Sequence, residues 1–370
     1  MSSGSSHLPA RRPRRRRHGV IDWDLAVRSA QALVRPGPDV SAAEADEAVS
    51  GLRSAAERSR GFVSEYTGLD ADPARTPILV VDRSRWVQAS AEGFAELAEP
   101  IEARLANAKG VTPWARAVGS RVTGLEVGGL LAYMSHKVLG QFDPFSGGGP
   151  AGGGGSSGRL LLVAPNIVQA ERELQADSDD FRMWVCLHEE THRLQFGGVP
   201  WLADHLRGQV GRLADTTELE VADVPRMVDQ ALTLVGRIVR GDTEASLLDL
   251  VQSAEQKVVV EEITAVMSLL EGHADVVMDG VGPEVVPSVD ELRKRFTQRR
   301  KGGGVLDKTV RRLLGLDAKM RQYRDGAAFV RGVVDRVGHE GFSAVWREPG
   351  NLPRPAEIAE PRRWCDRVVG

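Results

Sequence analysis

The sequence predicts a mainly α protein of the α+β class, in which helices surround one small sheet. Apolar residues recur every three or four positions through most of the chain, which is the period of an amphipathic helix. One short segment, residues 159–165, has a continuous apolar run typical of a strand, and it ends at a proline that suits the edge of a sheet. Of the 370 residues, 42% are hydrophobic and 27% are charged, which is ordinary for a soluble globular protein.

The predicted elements divide the chain into five regions. Residues 1–19, rich in Ser, Pro and Arg, predict a disordered basic tail. Residues 20–146 predict an N-terminal helical region, and residues 147–158 a Gly-rich flexible insert. Residues 159–300 predict a core that contains the strand and the chemically informative helices, and residues 301–370 a C-terminal helical region. The helical pattern is clearest at residues 23–34, 89–105, 181–196, 224–239, 247–278 and 308–337.

The charge and cysteine content limit the partners that the protein is expected to bind and the cellular compartment in which it is expected to lie. A formal net charge of −3 gives no overall attraction to nucleic acid or anionic lipid, so only the arginines of residues 11–17 offer a weak contact with nucleic acid. These arginines are followed by a segment with two aspartates and not by the apolar run of an export signal. No run of 18 apolar residues predicts a membrane span. Two cysteines, Cys186 and Cys365, fit reduced thiols in a cytoplasmic protein, and Cys186 is expected to pack in the core.

The pentad at residues 188–192, His-Glu-Glu-Thr-His, is the strongest functional signal. On a helix, His188 and His192 stack one turn apart, so both imidazoles can bind one metal ion. Glu189 lies beside them, close enough to a metal-activated water to act as its general base. Glu190 faces the other way and is expected to be a solvated helix residue. The pentad therefore predicts a Zn²⁺ hydrolase site.

A third ligand has to come from another segment, since a catalytic zinc usually takes three from the protein. Glu271 and His273 are the main candidates, and they lie about 200° apart around one predicted helix. Glu271 is on the more apolar side, where a buried carboxylate needs a strong partner such as a metal. The helical wheel therefore favours Glu271. The remaining alternatives are Asp204, His205 and Asp279.

Asp275 lies one turn beyond Glu271 on the same side of that helix. It is expected to accept the second ring N–H of a ligating histidine and so to fix its tautomer. The Glu-x-x-x-Asp spacing resembles the second motif of glutamate-type zincins, in which the glutamate is the third zinc ligand and the aspartate orients a histidine. The metzincin pattern does not fit, because Gln195 and Gly198 stand where it requires glycine and histidine.

Beyond these motifs the chain resembles one family, the zincin-like zinc-dependent metalloproteases of actinobacterial type, also named coenzyme F-420 biosynthesis-associated proteins. The stretches that carry the resemblance are residues 136–143, 163–167, 188–196, 268–275, 314–323 and 346–353. The resemblance implies a zincin-like core wrapped by helical segments, and an association with deazaflavin coenzyme synthesis. It does not imply a substrate.

Two functions remain open. The first is a zinc metallopeptidase or amidase, with His273 and Tyr323 as candidate stabilisers of the transition state. In zincins an edge strand just upstream of the pentad helix binds extended peptide, and residues 159–165 stand in that order. The second is a non-catalytic protein of zincin fold that binds a partner. The sequence names neither the substrate nor the oligomeric state.

Overall fold

The computed structural model describes residues 19–106, 113–146, 158–216, 253–301 and 316–370. The three strands are β1 (Ile78–Val81), β2 (Gly140–Asp143) and β3 (Arg159–Val163). The helices are α1 (Trp23–Leu33), α2 (Ala42–Thr67), α3 (Arg83–Leu97), α4 (Glu99–Ala106), α5 (Pro113–Ser135), α6 (Ala164–Leu174), α7 (Ser178–Gly198), α8 (Leu202–Asp215), α9 (Ala254–Val281), α10 (Val289–Lys301), α11 (Leu316–Phe342), α12 (Pro355–Ala359) and α13 (Pro361–Val368). The predicted mainly α fold with a small sheet is confirmed.

Several predicted features fall on other parts of the chain. The basic tail up to residue 18, the Gly-rich insert up to residue 157 and the predicted helix at residues 224–239 lie outside the described residues. The predicted helices at 247–278 and 308–337 are described from Ala254 and Leu316 onwards, respectively. Within the described ranges, no helix is both long enough and apolar enough to cross a membrane.

The sheet has the order β1-β3-β2, so β3 is its central strand. β3 runs parallel to β1 and antiparallel to β2. The expectation that residues 159–165 form an edge strand is therefore wrong. The strand stops at Val163, and Pro165 lies in the first turn of α6, where its missing N–H costs no helical hydrogen bond. Both edge strands, β1 and β2, lie in the region that the sequence predicts as helical. The sequence pattern does not reveal them, because four residues are too few to show the alternation of a strand.

Helix α7 lies in a large hydrophobic core, where it packs against α2 and the sheet. Asp177 caps its first turn by accepting from the N–H groups of Asp179 and Asp180. Cys186 is fully buried on this helix, as predicted, and burial raises the pKa of its thiol. The helix ends close to the chain after α2, where a β carbon on Gly197 would lie 2.6 Å from the side chain of Ala71.

The expectation for Glu190 is wrong, because its side chain is fully buried. Arg193 donates from Nε to Glu190 Oε2 at 2.7 Å and from Nη2 to Oε1 at 2.6 Å. Arg193 also donates from Nη1 to the hydroxyl of Thr76, just before β1, at 2.9 Å. A two-pronged ion pair with satisfied hydrogen bonds allows these charges to be buried. Through its bond to Thr76, this ion pair connects the pentad helix to the chain just before β1.

Helix α9 begins with a capping box. The side chain of Ser253 accepts a hydrogen bond from the backbone N–H of Gln256, and the side chain of Gln256 accepts one from the backbone N–H of Ser253. Near its middle it crosses α11 at very close range. A β carbon on Gly272 would overlap the backbone of Gly326, and one on Gly326 would overlap the carbonyl of Ser268. Gly272 and Gly326 thus allow α9 and α11 to approach closely at the residue next to Glu271.

Gly326→Ala is therefore expected to destabilise the protein. Overpacking typically costs about 1–3 kcal/mol, and this case lies toward the upper end because the added methyl meets backbone that cannot rotate away. The better helix propensity of alanine is worth about 1 kcal/mol in the opposite direction, so overpacking dominates. Gly208→Ala on α8 is the matched control, since open space surrounds that position. Urea unfolding of both variants measures the difference. Equal stability of the two variants would contradict the close crossing.

Candidate metal centre

Helix α7 presents His188 and His192 one turn apart on the same face. Their rings are perpendicular with centroids 4.8 Å apart, and their Nε2 atoms are 3.3 Å apart. Helix α9 adds Glu271, whose Oε2 lies 3.6 Å from His188 Nε2 and 3.5 Å from His192 Nε2. Among the described residues, this is the group of histidine, cysteine and acidic side chains arranged to hold a metal ion.

The triangle formed by these three atoms can be compared with the size of a zinc site. Zinc binds imidazole nitrogen and carboxylate oxygen at about 2.0–2.2 Å, so neighbouring ligand atoms of a tetrahedral site are about 3.3–3.5 Å apart. The observed separations of 3.3, 3.5 and 3.6 Å match that spacing closely. Two imidazoles and one carboxylate are also a usual donor set of catalytic zinc, in which the fourth position stays open. The residues present therefore fit a zinc ion.

The site is enclosed on the glutamate side and accessible on the histidine side. The Glu271 side chain is 7% exposed, whereas those of His188 and His192 are 22% and 14% exposed. Burial lowers the pKa of His192, but the carboxylates of Glu271 and Glu189 outweigh it, so the pKa is raised from its ordinary value. The surroundings of His192 Nε2 thus favour a positive charge, which a cation supplies.

Glu189 is buried beside the two histidines and lies against β2 of the sheet. A β carbon on Gly140 would lie 2.5 Å from Cγ and 2.8 Å from Oε1 of Glu189. Only glycine at this strand position therefore leaves the carboxylate where it is. The edge strand β2 and the predicted general base are in direct contact, which the sequence did not indicate.

Gln195, three residues after His192, connects the two helices of the site. Its Oε1 lies 2.9 Å from His192 Nδ1, while its Nε2 donates to the carbonyl of Leu270 at 3.0 Å and lies 2.9 Å from His273 Nδ1. The role expected of Asp275 is thereby corrected for His192, since an amide and not this carboxylate faces its second ring nitrogen. Asp275 instead pairs with Arg293 and Arg331 at 3.2 and 3.6 Å.

Comparison with known proteins agrees with this geometry. The model of a family described as zincin-like metallopeptidases matches residues 21–365 of the chain. The chain belongs to the zincin-like metallopeptidase family. A solved structure from Chloroflexus aurantiacus, described as a candidate hydrolase with a novel fold, is similar to this metallopeptidase-like chain at 28% identity and a TM-score of 0.64. The match covers 94% of this chain and 99% of that one. No curated protein matches.

In this zincin-like chain, His273 lies outside the triangle of His188, His192 and Glu271, the candidate metal-binding triangle. Its ring packs at 5.3 Å from those of both Phe342 and Trp346, and burial lowers its pKa to about 3, so it is neutral. Its Nδ1 contacts the Gln195 amide, and its ring is not part of the group of His188, His192 and Glu271. As a transition-state stabiliser it is therefore poorly placed.

The other candidates are also placed away from the triangle or are not described. Asp204 pairs with Arg207, His205 packs edge-on against Trp201, and Asp279 pairs with Arg293 and Arg331. The side chain of Tyr323 lies outside the described residues. Of the predicted ligands, the zincin-like fold thus brings together His188, His192 and Glu271.

Proposed function

We propose that the protein is a zinc-dependent hydrolase, a metallopeptidase of the glutamate type, with zinc held by His188, His192 and Glu271. The observation that carries the proposal is the triangle of two imidazole nitrogens and one carboxylate oxygen with sides of 3.3, 3.5 and 3.6 Å. Family membership and the likeness to a candidate hydrolase support the same chemistry.

Zinc bound in this site supplies a Lewis acid that makes a water more acidic and polarises a substrate carbonyl. Glu189 is the neighbouring carboxylate that accepts the proton of the attacking water and later passes it to the leaving amine. Its burial against Gly140 restricts the positions of its oxygens, so the base is held in place before substrate arrives. Glu190 has no part in the reaction, since Arg193 holds it on the other face of the helix.

The proposed substrate is a peptide in extended conformation, bound along β2. The Val163 N–H donates to the Leu139 carbonyl at 2.8 Å, and by alternation the backbone groups of Gly140 and Phe142 point away from β3. In the described part of the chain, β2 pairs with no strand other than β3. A peptide added at this edge would pass Glu189, which contacts Gly140.

The experiment is cleavage of peptide and amide libraries by the zinc-loaded protein. We expect hydrolysis that stops when a chelator removes zinc and returns when zinc is restored. Cleavage that persists without metal would contradict the proposal. Broad inactivity of a fully loaded protein would instead favour the second hypothesis, a partner-binding protein of zincin fold associated with deazaflavin coenzyme biosynthesis.

A further inference from the structure

The Gln195 side chain is completely buried where α7 and α9 meet. It is in contact with His192, from the pentad helix, and with Leu270 and His273, which flank Glu271 at one and two residues' distance. A single amide therefore contacts His192, one corner of the metal-binding triangle, and two close neighbours of Glu271, another corner. No such role follows from the pentad pattern, which ends at His192.

The chemistry of its partners fixes the orientation of this amide. The Leu270 carbonyl can only accept a hydrogen bond, so the amide atom 3.0 Å from it has to be the nitrogen. The amide oxygen then faces His192 Nδ1 at 2.9 Å. Because that oxygen can only accept, His192 must carry its proton on Nδ1. In the neutral ring Nε2 then keeps its lone pair, and this is the atom that lies 3.5 Å from Glu271 Oε2.

His273 completes the arrangement from the other side. Its Nδ1 lies 2.9 Å from the amide nitrogen and is positioned to accept the second N–H of Gln195. Phe342 and Trp346 pack against the His273 ring and hold it in place. With both amide hydrogens and the amide oxygen engaged, Gln195 has one favourable orientation.

We propose that Gln195 is a positioning residue that holds His192 in the Nδ1–H tautomer and aims the Nε2 lone pair at the metal. The inference rests on the proposed function, because the metal is the one held by His188, His192 and Glu271. Loss of a hydrogen-bond partner of a metal ligand typically costs about 10–100-fold in metal affinity.

Two substitutions separate this role from a simple connection between helices. Gln195→Met removes both the acceptor for His192 and the donors to Leu270 and His273. Gln195→Glu removes the amide donors but keeps an oxygen that accepts from His192 Nδ1. If Gln195 acts through His192, the dissociation constant for zinc rises about 10–100-fold in Gln195→Met and by less than about threefold in Gln195→Glu. Equal weakening in both variants, or no weakening in Gln195→Met, would overturn the inference.

Zinc affinity is measured by competition with a chromophoric chelator, and Cys186→Ala serves as the control. That substitution also removes a buried side chain from α7, so it should lower the melting temperature without changing zinc affinity. If zinc affinity also falls in Cys186→Ala, the affinity of the Gln195 variants reports general destabilisation, and the inference loses its support.

The tautomer of His192 gives a readout that needs no metal. In zinc-free wild-type protein labelled with ¹⁵N-histidine, at a pH where His192 is neutral, we expect Nδ1 to be the protonated nitrogen. Gln195→Met should lose this preference and Gln195→Glu should keep it. Protonation at Nε2 in the wild type would overturn the inference. A wild-type protein with the expected tautomer but no affinity for zinc would refute the proposed function and leave the orientation of His192 intact.

Discussion

Glu189→Gln is expected to bind zinc normally and to lose about 10²–10⁴-fold in kcat for any substrate that the wild type cleaves. The amide keeps the shape of the side chain beside Gly140 but cannot accept the proton of the attacking water. Because Glu189 is not a corner of the metal-binding triangle, the zinc content should not change. Steady-state kinetics and elemental analysis on the same preparation test both statements.

Glu190→Gln is the matched control, since it makes the same chemical change at the next residue. It removes the charge that faces Arg193 in the core, and breaking a buried ion pair typically costs about 3–5 kcal/mol. We therefore expect a lower melting temperature and an unchanged kcat for the folded protein. Full activity of Glu189→Gln, or equal losses of kcat in both variants, would reject general-base catalysis by Glu189.

Glu271→Ala is expected to abolish zinc binding at micromolar metal. Removing a corner of the triangle should cost more affinity than the roughly 10–100-fold typical of losing a ligand's hydrogen-bond partner. His273→Ala, two residues away, should still bind zinc, because its ring contacts Gln195, Phe342 and Trp346 and not the triangle. Isothermal titration of the two metal-free variants measures the contrast. The reverse pattern would transfer the role of third ligand to His273.

Much of the site could be predicted from sequence because helical geometry converts spacing into position. His188, Glu189 and His192 follow from their separations of one and four residues on one helix. The apolar side of α9 favours Glu271, and this is the acidic residue that forms a group with the two histidines suited to hold a metal ion. Their role as zinc ligands stays a prediction.

The errors arise where a partner comes from another element of the fold. The Glu190–Arg193 pair of α7 is buried against the chain at Thr76, which accepts from Arg193 Nη1, and a helical wheel of α7 does not include Thr76. The contact of Gly140 with Glu189 joins β2 to α7, two elements that no sequence pattern brings together. The helix spacing and the resemblance to glutamate-type zincins predict a contact of Asp275 with a ligating histidine, but neither includes Arg293 on α10 and Arg331 on α11, with which its carboxylate pairs.

The central claim is that His188, His192 and Glu271 hold one zinc ion. The most direct test is the zinc content of the purified protein, determined by elemental analysis for the wild type and for the double variant His188→Ala, His192→Ala after equal exposure to zinc. We predict about one zinc per chain in the wild type and none above background in the double variant. Circular dichroism confirms that both are folded. Full zinc occupancy in a folded double variant would contradict the claim.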